Sequence, residues 1–526
     1  MNRFHFNYLL LTVLVILASL TGCGGGGGGG GGGSVNPAVI PLTIPLANQI
    51  ALPSADYSSD AYPTISSNVE LTLNNFAATS EALMVFVNMS DSAQRLSYEV
   101  DKLSLAASQR GSAVIRKSRN EDSGAILPEQ AFHLRLRQQA QLQPRPRQSS
   151  SALRASMRAL ALNDEQNFTL YISNTATEKI TAVCRHTEKL DGTDKSFHIF
   201  VDKNSNKMAN IGYIIDKIAN NWKSIYVKDR EIFGEEPTGI LENGVNATDF
   251  YIVLSPKVFT AGYFFTGDLN LISATPTSNE KKIFFLQLDP NEEKDLAVNV
   301  LSATMAHEFQ HMIHFLHRGN SSDIWLEEAL SGYAEHINGF RIENKINRSK
   351  ALQTNYYFDR VNDIRLDVWY GDNDDSDVIN SHYGKVFLFG VWLAQNYGNN
   401  GSVVSLLKNQ TNDVAAIEAF TGKNFGEIYS RFMLALIVNN PDAANGGYGI
   451  KGLNLTGKYD FDGALSSITL SGPVVDSVYA TDSSLAKPVI APRAAAYVKV
   501  TKGDGSGLWL AATLPPGTAL YQLRKD

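Results

Sequence analysis

The sequence predicts an α+β protein, and three textures along the chain carry that reading. Apolar and polar side chains alternate through residues 65–105, the period of half-buried strands. Strand-like and helix-like stretches mix from "FHIFVDKN" onward, and residues 296–440 are mainly at helical spacing. Strand alternation returns after "NNPDAANGGYG", in "AAYVKV", "LWLAAT" and "ALYQL". The 526 residues can bury a large core, and length alone suggests about two to four domains. With 44% hydrophobic and 19% charged residues the composition is that of a globular protein. A formal net charge of -7 argues against nucleic acid as a general partner.

Taken in order, the first segment reads as an export signal. Asn2 and Arg3 precede an apolar run from Tyr8 to Leu20, which exits through "LTGC" at Cys23. Such a run is short for a membrane span and ends in small residues. "LTGC" resembles the lipobox of bacterial lipoproteins. That resemblance implies that residues 1–22 are removed and that Cys23 is acylated as the mature N-terminus. The chain would then be anchored to a membrane of the cell envelope, the outer one where there are two. The glycine tract Gly24–Gly33 has nothing to pack, so residues 23–36 are expected to be the lipidated cysteine and its tether. The other cysteine, Cys184, leaves no disulfide framework and is expected in a buried strand.

Residues 37–105 are expected to form an N-terminal β-rich domain. Residues 106–162 are rich in Gln and Arg and poor in acids and aromatics, which predicts a disordered or partly helical basic linker. A propeptide junction and a membrane-surface segment are its functional readings. It carries Arg135, Arg137, Arg145, Arg147, Arg154 and Arg158, with Pro144 and Pro146 breaking regular helix. Nicking here is expected to release a soluble catalytic fragment.

Residues 163–440 form the expected central domain. Strands are read at "NFTLYIS", "KITAVCRH", "HIFV", "FYIVLS", "YFFTG" and "KIFFLQL", and a helix over Met208–Trp222. "VDKNSNK" begins like a calcium loop but lacks its glycine, and Tyr213 stands where the bidentate acid belongs, so it is read as a turn and Ca2+ is not indicated. Residues 441–526 are expected to be a C-terminal β-rich domain.

The chemistry concentrates in "HEFQHMIHFLH", residues 307–317. On a helix His307 and His311 share a face about 6 Å apart along the axis, so both imidazoles can meet one ion. Glu308, offset by a quarter turn, can reach a water as general base. A catalytic zinc needs a third protein ligand and an open position. His314 lies about 10 Å along the axis from His307, too far for three consecutive imidazoles to surround one ion. His317 sits where the metzincin pattern has its third histidine, but His314 replaces the glycine that lets that chain turn. Downstream, "WLEEALSGYAEH" places Leu326, Leu330, Tyr333 and Ile337 on one helical stripe and Glu328, Ser331, Gly332 and Glu335 on another. Small residues there admit a neighbouring helix, so a glutamate among them can reach the ion; periodicity agrees with Glu328 but does not force it over Glu327.

The combination "TMAHEFQHMIHF", "WLEEALSGYAEH", "AGYFFTGDL" and "SNEKKIFFLQLDP" resembles the hyicolysin-type neutral metallopeptidases, a gluzincin-like group, over roughly residues 195–440. Trp325-Leu326 matches the gluzincin Trp-Leu-x-Glu segment and selects Glu328. The resemblance implies one catalytic Zn2+ on His307, His311 and Glu328, protein or peptide substrates, and Glu308 as base. It also implies a downstream Tyr or His at the oxyanion, for which "SHYGKVF" offers His382 and Tyr383, with Tyr383 preferred. "AGYFFTG" would be an edge strand for an extended peptide, bracketed by Gly262 and Gly267. The rival readings are a non-catalytic surface-binding lipoprotein that keeps the peptidase fold, and an envelope scaffold with a structural HExxH.

Overall fold

The chain is described by a computed structural model at residues 49–52, 68–73, 81–95, 97–102, 128–142, 146–149, 160–190, 192–205, 208–319, 322–371, 374–443, 447–461, 467–479, 484–486, 489–501, 508–513, 515 and 517–525. The expected signal and tether lie outside these residues. All of them fall within one compact unit, Pro41–Asp526.

The strand-like N-terminal stretch gives β1 (Gln49–Leu52), β2 (Asn68–Leu73), β3 (Glu81–Asn88), β4 (Gln94–Arg95) and β5 (Ser97–Lys102). It is followed by α1 (Pro128–Gln141). The linker expected over 106–162 thus contains a helix, and this helix is packed against the protein. Pro128 and Glu129 suit a first turn, and Phe132, Leu136 and Ala140 form a buried stripe at i, i+4 and i+8.

The central domain holds β6 (Glu165–Tyr171), β7 (Thr177–Lys189), β8 (Ser196–Asp202), α2 (Ile211–Phe233), β9 (Phe250–Ser255), β10 (Gly262–Tyr263) and β11 (Lys282–Gln287). They form one six-stranded sheet in the order β10-β11-β9-β8-β7-β6. β8, β9 and β11 run parallel, while β10 is an antiparallel edge strand on β11. Cys184 is buried in β7. Gly262 lets this edge approach the next helix, because a Cβ there would meet Thr304 at 2.6 Å.

The helical region comprises α3 (Lys294–His317), α4 (Ile324–Ile337), α5 (Arg348–Phe358), α6 (Ser376–Tyr397), α7 (Val404–Lys408), α8 (Asp413–Thr421) and α9 (Phe425–Val438). Glu293 caps α3 by accepting the N–H groups of Asp295 and Leu296. Arg318 ends that helix and donates to Thr411 O and Asp413, which ties the turn before α4 to α8. α4 is buried on every side from Ile324 to His336, so its acidic face looks into protein. Gly390 of α6 allows this crowding, since a Cβ there would lie 2.2 Å from Ala329 O. Among the described residues no helix is long and apolar enough to cross a membrane.

The C-terminal stretch supplies β12 (Lys458–Tyr459), β13 (Ile468–Thr469), β14 (Val475–Tyr479), β15 (Ser484–Ala486), β16 (Val489–Ile490), β17 (Ala494–Thr501), β18 (Leu508–Thr513) and β19 (Thr518–Lys525). Read as two separate β-rich domains, the two ends of the chain in fact share sheets. The orders are β1-β19-β3-β17-β14 and β15-β5-β18-β2. β3 lies between β17 and β19, and its Met84, Val85, Phe86 and Val87 are buried on both faces.

Candidate metal centre

α3 and α4 bring His307, His311 and Glu328 together, with their ligand atoms all within 4.8 Å of one another. His307 Nε2 lies 3.4 Å from Glu328 Oε2, and His311 Nε2 lies 3.6 Å from Glu328 Oε1. Donors about 2.0–2.1 Å from a tetrahedral ion stand roughly 3.3 Å apart, so these separations suit a single zinc-sized ion. Each imidazole is oriented from behind. His307 Nδ1 is 2.8 Å from Glu335 Oε1, and His311 Nδ1 is 2.9 Å from Glu327 Oε1. Nδ1–H donation to a carboxylate aims Nε2 at Glu328, the usual support for a metal-binding histidine. Glu335 is in turn held by Asn347 Nδ2 at 2.6 Å and Lys350 Nζ at 3.3 Å.

The electrostatics are those of a buried acidic site. Burial disfavours charge on His307, but hydrogen bonds with Glu328 and Glu335 outweigh it and hold the imidazole up at about 9. Burial, with Arg137 beside it, keeps His311 well below its ordinary value. Burial opposes ionisation of Glu328, yet His311, His307 and Arg137 together hold it well below the usual carboxylate range. Glu308 is 1% exposed, and burial raises its carboxyl against the pull of Arg137 and His307. Its Oε2 accepts the N–H of Phe264, directly after β10, at 2.8 Å.

The other histidines of the motif are elsewhere. His314 is buried with Nδ1 3.3 Å from Gln310 Nε2, and the His317 ring packs against Gly234. Among the described residues, the His307, His311 and Glu328 group is the one metal-ligand constellation. Tyr383 on α6 is half-buried beside Trp369 and Tyr370, with ring centroids 5.0 and 6.1 Å away. Burial, Tyr370 and Glu328 raise its hydroxyl well above the ordinary phenol range, so it stays protonated.

Sequence reasoning missed the residues that α1 contributes. Arg137, 1% exposed, donates from Nη2 to Glu308 Oε2 at 3.3 Å and from Nε to Glu328 Oε1 at 3.4 Å. Its Nη1 lies 3.8 Å from Glu327 Oε1. His133, one turn earlier, is driven down to about 3 by burial, with Arg137 adding to that. The apolar spacing of Phe132, Leu136 and Ala140 is the signal that could have placed this helix. The arginine-rich composition obscured it.

Comparison with known protein families and with curated proteins finds no match to this chain.

Proposed function

We propose that this chain is a zinc-dependent endopeptidase of gluzincin-like, hyicolysin type. The observation that carries the reading is the convergence of His307, His311 and Glu328, each histidine backed by its own carboxylate, with Glu308 buried alongside. Two imidazoles and one carboxylate are a catalytic zinc donor set. Zinc, when bound, supplies a Lewis acid that acidifies water and polarises a scissile carbonyl.

The chain's own residues supply the rest. Glu308 takes the proton of the attacking water and delivers it to the leaving amine. The Phe264 N–H fixes the carboxylate's orientation, and burial raises its proton affinity. β10, an edge strand next to Glu308, offers main-chain groups to an extended peptide. Tyr383 keeps its proton and donates it as a hydrogen bond to the developing oxyanion. If Cys23 is lipidated as its resemblance implies, the substrates are envelope or extracellular proteins.

The test is zinc stoichiometry of the full chain after exhaustive dialysis, with casein cleavage assayed before and after a chelator. One zinc per chain, and cleavage that stops with chelator and returns with zinc, supports the reading. A folded chain that retains no zinc either as it stands or with Arg137, which contacts Glu308 and Glu328, replaced by alanine overturns it.

A further inference from the structure

The same helix that escaped sequence reasoning covers the site from both sides. Phe132 of α1 packs into aromatic rings from both edge strands of the sheet, with centroids 5.2 Å from Tyr263 of β10, 5.3 Å from Tyr171 of β6 and 5.8 Å from Phe259. Leu134, on the opposite side of α1, is buried with Ile324, Tyr370 and Ile379 of the helical region. Tyr370 donates to the Gln130 carbonyl at 3.2 Å. The chain beyond the helix is pinned as well. Gln148 bridges to Leu241, Ser149 N–H donates to Ile240 O at 2.7 Å, and Glu242 N–H donates to Arg147 O at 2.8 Å. α1 therefore spans the space between β10 and α4–α6, with Arg137 set against Glu308 and Glu328.

We propose that α1 is an autoinhibitory plug, with Arg137 standing in for the positive charge of the metal centre and closing it to substrate until the helix is displaced. The inference rests on the peptidase reading. Its physical basis is the fork of the guanidinium, which donates to the Glu308 and Glu328 carboxylates and stands at ion-pair distance from Glu327, the carboxylate behind His311. A peptide carbonyl and its attacking water need the volume between Glu308 and Glu328, and the guanidinium fills it. A second cation at that centre is also repelled by the first in a low-dielectric interior. Removing Arg137 leaves three buried carboxylates short of a positive charge, which zinc can supply.

The experiment compares the full chain with Arg137→Ala and Phe132→Ser in two assays. The first measures zinc affinity of metal-free protein by competition with a chromophoric chelator, together with the shift in melting temperature on adding zinc. The second measures casein hydrolysis at saturating zinc. Phe132→Ser loosens the helix without touching the carboxylates, so it decides the matter should Arg137→Ala not fold. The expected result is zinc affinity at least about tenfold tighter in Arg137→Ala, with a larger zinc-induced melting shift, and faster hydrolysis in both variants. Equal affinity and equal hydrolysis in all three proteins overturns the plug and leaves the peptidase reading standing. Tighter zinc binding with no hydrolysis in any protein overturns the peptidase reading, and with it the closure to substrate that rests on it. No zinc bound by any folded protein overturns both.

Discussion

At the scale of single residues, the centre separates roles that adjacent sequence positions blur. Glu327 and Glu328 are neighbours in the chain, yet Glu328 faces both Nε2 atoms and Glu327 backs the Nδ1 of His311. Glu328→Ala is therefore expected to empty the site, while Glu327→Ala weakens zinc by about 10–100-fold, the range for losing a residue that orients a ligand. His317→Ala should leave zinc unchanged, because that ring packs against Gly234. Zinc content after dialysis at graded chelator concentrations ranks the three, and an empty site in His317→Ala would refute the assignment. Glu308→Gln keeps the ligands and loses the base. Hydrolysis is expected to fall by at least about 10²–10⁴-fold with zinc retained. That comparison is best made in whichever background hydrolyses casein fastest, so that a covered site does not mask the loss.

At the scale of elements, the two helices that carry His307, His311 and Glu328 were readable because each has a local period, whereas the strand read at "YFFTG" is confined to Gly262–Tyr263 and gives way to a 3₁₀ turn over Thr266–Leu269. Apolar spacing in residues 301–316 and 326–337 marks α3 and α4, and HExxH needs nothing beyond one helix. What local period could not reveal was α4 buried on all sides, since the depth of its acidic face depends on α6 crossing it. Nor could it reveal α1 docked on the site, where an ion pair joins residues 137 and 308, which have all six strands of the central sheet between them in the chain. Composition sums over a window, and the arginines of residues 134–158 read as part of a disordered or partly helical linker although Arg137 is among the most buried side chains. The α4–α6 crossing makes its own prediction. A Cβ at Gly390 falls 2.2 Å from Ala329 O, and backbone cannot give way as a side-chain tip can. Gly390→Ala is expected to destabilise the protein by about 1–3 kcal/mol through overpacking, seen as a lower urea midpoint. Because α4 carries Glu328, zinc affinity should fall with it. Unchanged stability would mean that α6 shifts freely, and that the crossing does not position the ligand.

At the scale of the whole molecule, the joining of the chain's two ends changes what a cut between them can do. A nick in the arginine-rich region would release a soluble catalytic fragment only if the N-terminal strands formed a domain of their own. They do not, because β3 is paired along its length with β17 on one side and β19 on the other, and β2 and β5 flank β18. Met84, Val85, Phe86 and Val87 are buried in that arrangement. At about 1.5–3 kcal/mol for each large side chain, these four alone supply roughly 6–12 kcal/mol toward holding a cut chain together. Association also costs rigid-body freedom, but the full ladders of β3 with β17 and β19 and of β18 with β2 and β5 add to these four side chains, so the nicked pieces should stay bound at ordinary protein concentrations. If Cys23 is acylated, the part that carries the candidate metal centre stays at the membrane after cleavage, and a cut acts on that centre without dispersing it. Limited trypsin digestion followed by gel filtration tests this. The fragments are expected to co-elute in native buffer and to separate only in urea. A catalytic fragment that elutes alone without denaturant would show that the shared sheets do not hold, and would restore release into the medium as the consequence of cleavage.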